Sequence, residues 1–324
     1  MKDTDFSFVK GLKDFLFYHG IDYSIPFSYD GTMLRNFFLR HLRWLLAMLL
    51  SLSFFYLLGP VILAMLNLVL TDKTSIALAL IKANICHLCL ALGILFCLSN
   101  LLNCTLSQAI TDAGHFRWNL FLQGFVSLFL IFVVYLAISL QAYTSSYSPP
   151  DGQWTARLLL LPLLLLLTPI QVGAEEITYR LFPLRFLFGR LWGTAKQKAA
   201  ASFVLAFLFM AIHLHNHEVT TSTNLPLTLG YYLIFGFAAT YITLDTGGLE
   251  AAFGMHLANN LYTTTICNYV GSTLPSLPLF LKATDMVSVT DLAVLAVAML
   301  LVYVLCHRTT RRKSAMVDSR KGEQ

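Results

Sequence analysis

Charge is what this sequence has least of. Asp, Glu, Lys and Arg occupy 12% of its 324 positions, where a soluble globular domain carries roughly 25%. With 57% hydrophobic residues and a mean hydropathy of +0.68, a soluble chain could not cover its own apolar surface. That excludes an ordinary soluble domain and points to a bilayer, in which each spanning segment satisfies its backbone as a helix. Other absences narrow the chemistry. There is no HExxH pair, no phosphate-binding loop and no serine nucleophile elbow. Cys86-His87-Leu88-Cys89 has metal-pair spacing but no second pair to complete a zinc site. The other cysteines sit mostly in apolar runs, where a thiol acts as a small hydrophobe. The first forty residues carry no short apolar run with a small-residue cleavage site, so no cleavable signal is expected. The net charge of +5 is small, and the basic tail reads as a topology signal, not as a nucleic-acid site.

What is present is a series of long apolar runs. Crossing the hydrocarbon core takes ~20 residues of helix. Runs of that kind fall at 44–70, 78–102, 118–142, 156–188, 198–215, 228–245, 248–268 and 288–306. The expected fold is therefore all-α, a polytopic transmembrane helical bundle of about eight spans. Pro162, Pro169 and Pro183 predict kinks or a break in the fourth run. Residues 1–43 read as a cytosolic or interfacial lead-in, with Phe6, Phe8, Leu12 and Phe15 among Lys10 and Lys13. Accessory spans follow at 44–142, a polar-bearing core at 155–270, a loop and last span at 271–306, and a basic tail at 307–324. Lys and Arg gather before the first span, between spans four and five (Arg185, Arg190, Lys196, Lys198) and in the tail. By the positive-inside rule both termini are expected in the cytosol.

Ionisable residues inside such spans are costly and usually functional. In the second half they form a small set: Glu175 and Glu176, His213, and His256 with Asn260. Glu175 lies eighteen positions before the basic turn at Gly193 and His213 twenty after it, so both sit ~20 Å from that turn on straight antiparallel helices. His256 lies eight positions beyond Gly248, ~12 Å along its helix. Three helices can thus bring a carboxylate and two imidazoles to one zone near the cytosolic face. Glu176 and Arg180 are four apart and share a face, as do Phe209 and His213, and His256 and Asn260. Arg180 can neutralise Glu176 while Glu175, about 100° round the helix, faces the site.

A carboxylate with a nearby imidazole suits base-assisted attack of water, and a second His with an amide suits an oxyanion. Glu175, His213 and His256 could instead ligate zinc and leave a position for water. His215, His217 and Glu218 fit a solvated loop better than a metal site. Asn259 could stand in for Asn260 through a register shift, and Lys82, beside His87 in the second span, can snorkel outward.

In order, Glu175-Glu176-x-x-x-Arg180, Phe209-x-x-x-His213 and His256-x-x-x-Asn260 resemble the three motifs of the CAAX-protease and bacteriocin-processing (CPBP, or Abi) membrane family, which includes the type II CAAX prenyl endopeptidases. The resemblance covers roughly residues 155–270. It implies an intramembrane endopeptidase, expected here to cut a peptide bond near the cytosolic membrane face, in which Glu175 activates water with help from His213. His256 and Asn260 would stabilise the oxyanion, and Glu176, Arg180 and Phe209 would support the site. Both metallo- and glutamate-type mechanisms have been described for the family, so zinc stays an open cofactor. The partners implied are the lipid bilayer and a peptide or lipid-anchored protein substrate, with no nucleic acid, in a prokaryotic plasma membrane. Two other functions fit less well: a non-enzymatic bacteriocin-immunity or scaffold protein, and a proton-coupled transporter, whose paired repeats are missing here.

Overall fold

The computed structural model describes residues 31–72, 74–143, 146–148, 152–283 and 287–322, with side chains described between 39 and 312. Of the amphipathic lead-in expected over 1–43, residues 1–30 lie outside this range, and 31–43 belong to the helix that enters the first span. In chain order the helices are α1 (Gly31–Ser53), α2 (Gly59–Val69), α3 (Ile76–Asn100), the short α4 (Leu106–Ile110), α5 (Trp118–Ala142), α6 (Trp154–Glu176), α7 (Phe182–Phe188), α8 (Ala195–Ile212), the short α9 (His217–Thr220), α10 (Leu225–Thr246), α11 (Glu250–Leu261) and α12 (Val289–Gly322). The fold is an all-α polytopic bundle. Among the described residues, seven stretches are long and apolar enough to cross a membrane: Leu39–Val69, Ile76–Asn100, Trp118–Ala142, Trp154–Phe188, Ala195–Ile212, Leu225–Thr246 and Val289–Arg312.

The run expected at 248–268 departs from this pattern. Its α-helix is only the twelve residues of α11, continued by a π-helical turn over Tyr262–Ile266, and ten of those twelve residues are buried. The reason lies in its small residues. A Cβ on Gly254 would collide with the carbonyl oxygen of Phe121, and one on Gly124 with that of Ala251, so α11 and α5 pack backbone against backbone. The eighth pass is thus a core helix surrounded by protein.

The three prolines of the fourth run act unequally. Pro162 and Pro169 sit inside α6 without breaking it. The interruption comes at a π turn, Ile177–Leu181, just before Pro183. A second π turn, Phe54–Leu58, likewise precedes Pro60. A proline supplies no N–H and crowds the carbonyl four residues back, and a π turn relieves both demands.

The bundle has two unlike ends. At one, ion pairs tie the connections together: Arg117 Nη2–Glu250 Oε2 at 2.7 Å, Arg185 Nη1–Asp112 Oδ1 at 2.6 Å and Lys198 Nζ–Asp245 Oδ1 at 2.6 Å. His307 Nδ1 also meets Asp245, at 2.6 Å. The described chain both enters and leaves the bundle at this end, since His41 contacts the Phe186 carbonyl there. At the other end lies a small three-stranded sheet that no pattern in the chain predicts. β1 (Tyr147–Ser148) pairs antiparallel with β3 (Phe280–Lys282), which pairs parallel with β2 (Cys267–Tyr269). Arg157 braces it by donating to the carbonyls of Leu277 and Pro278, and Lys282 pairs with Asp291 at 2.7 Å.

The Glu250 side chain is fully buried against Arg117. Arg117→Met leaves that carboxylate without a counter-charge, which is expected to cost about 3–5 kcal/mol. The double variant Arg117→Met/Glu250→Met should recover most of the loss, as read by denaturant unfolding in detergent.

Candidate functional site

Glu175 and Glu176 close α6, and the bundle gives them different surroundings. Glu176 is almost wholly enclosed, at 1% exposure. One of its oxygens pairs with Arg180 and the other lies 2.8 Å from His256 Nδ1. Arg180 is fixed in turn by donating from Nε to Thr240 Oγ1 at 3.1 Å, and its guanidinium lies 5.5 Å from the Phe209 ring centre. A carboxylate facing an arginine accepts and does not donate, so His256 holds its proton on Nδ1 and turns Nε2 towards Glu175, 3.7 Å from Oε2. Rings of Phe209 and Phe235 pack edge-on against this imidazole.

Glu175 faces a cavity of about 310 Å³, together with His213, His256 and Asn260. Gln171 donates to its Oε1 at 3.2 Å from one turn earlier. His213 directly follows the last residue of α8, with Nδ1 2.6 Å from the Phe209 carbonyl. Its ring stacks on Tyr232 with centroids 4.4 Å apart. With Nδ1 donating to that carbonyl, Nε2 is the nitrogen left for the cavity. Asn260 accepts from Asn259 through Oδ1 at 3.0 Å, which leaves its Nδ2–H free to donate. Asn259 accepts from Tyr231, so it supports the site instead of replacing Asn260. All four residues expected to be catalytic, with Glu176, Arg180 and Phe209 behind them, therefore come together.

The structure adds a residue that the sequence reading passed over. His87 Nε2 lies 3.1 Å from Glu175 Oε1, brought from α3, with Phe55 edge-on to its ring. The signal was available: His87 is an ionisable residue in an apolar span, the same criterion that singled out the others. Its neighbours Cys86 and Cys89 are free thiols, and Cys89 is buried. Glu218 corrects another expectation. His215 and His217 are exposed, as a loop predicts, but Glu218 is buried. It accepts from Tyr232 Oη at 2.8 Å, Asn216 Nδ2 at 3.1 Å and the Thr273 amide at 3.0 Å. It therefore clasps the loop after α8 to the one after β2.

Among the described residues no three His, Cys, Asp or Glu side chains are grouped to hold a metal ion.

Residues 154–262 match the family model described as type II CAAX prenyl endopeptidase Rce1-like. A curated relative, the uncharacterized protein YyaK of Bacillus subtilis (strain 168), is 33% identical over 162 residues, covering 50% of this chain and 51% of the relative. The alignment thus spans about half the length of that relative. No solved structure matches. With its seven apolar helices, the chain is an integral, multi-pass membrane protein.

The Glu218 clasp has a pH signature. Burial alone would raise its carboxyl above the ordinary 4.5, but donors from Thr273, its own backbone and Tyr232 outweigh burial and lower it. A carboxyl depressed in the folded state contributes stability that is fully present above its unfolded value and is lost as pH falls through the folded one. Glu218→Gln should therefore unfold more easily than wild type near neutral pH, by about 1–3 kcal/mol. Thermal unfolding in detergent should show the two converging as pH falls through the lowered Glu218 carboxyl, below the ordinary carboxylate range.

Proposed function

We propose that this chain, whose residues 154–262 form an Rce1-like segment, is an intramembrane endopeptidase that uses Glu175 as its base. The observation that carries this reading is the division of labour between adjacent carboxylates. Glu176 is saturated by Arg180 and His256, whereas Glu175 opens onto the cavity beside two imidazoles and an amide. Such a site activates water and stabilises a tetrahedral oxyanion.

In the proposed reaction a water between Glu175 and His213 Nε2 gives its proton to Glu175 and attacks the peptide carbonyl. The oxyanion receives a hydrogen bond from Asn260 Nδ2–H, and a second from Nε2–H of His256 in its doubly protonated form, whose Nδ1–H stays on Glu176. Glu175 then returns the proton to the leaving amine, so the carboxylate is regenerated. Glu176 holds the His256 ring in place from behind, and the aromatic ring of Phe209 closes the floor. His87 acts as a positioning residue: with Gln171 it directs one oxygen of Glu175, so that the other faces the water. No step runs through a metal. The membrane proposed is a prokaryotic plasma membrane, a reading supported by the relative from Bacillus subtilis.

Detergent-solubilised protein incubated with a pool of quenched fluorogenic peptides tests the reading. Glu175→Gln is expected to lower cleavage by about 10²–10⁴-fold, and Asn260→Ala by about 10²–10³-fold. Chelator should leave the rate unchanged. Full cleavage by Glu175→Gln would overturn the mechanism, and loss of cleavage on chelation would replace it with a metal-dependent one.

His87→Phe keeps the ring packing on Phe55 but removes the hydrogen bond. It should lower the rate about 10–100-fold, the worth of a hydrogen bond to a charged group, and alter the shape of the pH–rate profile. An unchanged profile would reduce His87 to packing.

A further inference from the structure

We infer that substrate reaches Glu175 from the non-cytosolic face, so that the natural substrate is an extended segment of an exported peptide or of a membrane protein's outer portion. This inference rests on the protease reading for its chemistry, but its geometry is independent of it.

Three observations carry it. First, between the two ends of the bundle the cavity extends towards one, besides a side arm lined by Phe55, Tyr56 and Tyr179. From Glu175 it continues along Tyr231, Tyr147, Tyr269 and Lys282 to the sheet end, and no lining residue comes from the connections 101–117, 189–194 or 245–249 at the other end. Second, the opposite direction is packed shut. Leu181, Phe182, Leu184 and Leu191 are 0% exposed and Leu244 is 1%, and they form one cluster between the Glu176–Arg180 pair and the charged end. Nearness of the site to the basic turn therefore does not make it open there. Third, basic residues divide unequally between the ends. Arg40, Arg43, Arg190, Lys196, Arg308 and Arg311 lie at the charged end beside the three ion-paired cations already named. At the sheet end the described cations are Lys82, Arg157 and Lys282, each turned onto a carbonyl or a carboxylate of its own chain. Basic connections remain in the cytosol, which puts the charged end inside and the sheet end outside.

Chemistry at the sheet end fits a neutral, extended peptide. Tyrosine hydroxyls dominate the wall, and the Glu218 carboxylate is already saturated by its donors. The one cation on the wall, Lys282, is paired to Asp291.

The test uses the full chain expressed in cells, with single cysteines added at Val270, which is 61% exposed at the sheet end, and at Trp192, which is 49% exposed at the charged end. Wild type gives the background of the native thiols. A membrane-impermeant maleimide should label Val270→Cys in intact cells at least ten times faster than Trp192→Cys, which should react only after permeabilisation. The reverse pattern overturns the inference whatever the activity. In parallel, the quenched peptide pool is added outside intact cells carrying wild type or Glu175→Gln. Cleavage by intact wild-type cells alone supports entry from this face, whereas cleavage that appears only on permeabilisation overturns it. Labelling as expected, with no cleavage in intact or permeabilised cells, upholds the access route and overturns the protease reading.

Discussion

Two neighbouring carboxylates inside a helical bundle set the central physical constraint on this protein. Each must find charge or donors nearby, because a buried, unpaired carboxylate is strongly unfavourable. Glu176 meets that demand through Arg180 on its own chain segment and His256 from α11, and Arg180 recruits Thr240 from α10. One ion pair therefore ties three helices together and orients the imidazole that faces Glu175. Without it, the site would lack both its geometry and a reason for α11 to lie so deep.

That depth depends on backbone contact. The glycines at 124 and 254 allow α5 and α11 to approach until side chains have no room between them. The short helix is then surrounded by protein, where its His and Asn residues meet a cavity instead of lipid. The π turn ahead of Pro183 works in the same region. It follows directly on Glu176 and carries Arg180, so relief of the proline coincides with the segment that bears the network.

The two ends of the bundle serve different purposes. Ion pairs and a tightly packed apolar cluster make the charged end a closed base. The sheet end is assembled from three connections that have no reason to meet in the sequence, held by the Arg157, Lys282 and Glu218 contacts.

Much of the fold and the centre of the site were legible in the sequence. Hydrophobic runs report helices because the bilayer demands that each segment satisfy its own backbone, and polar residues within them stand out because they are costly there. Glu175, Glu176, Arg180, His213, His256 and Asn260 were visible on those grounds and by four-residue spacing. The contact of His87 with Glu175 was not, since it joins positions 87 and 175 through the packing of α3 against α6, and no local spacing records such a pairing. Likewise hidden were the burial of Glu218, the three-stranded sheet and the direction in which the cavity runs. The sequence by itself determined which segments are helical and which polar side chains they carry, because those depend on local periodicity and solvent. Only the tertiary structure decided which of those side chains meet and from which end they can be reached, because both depend on how closely helices distant in sequence can pack.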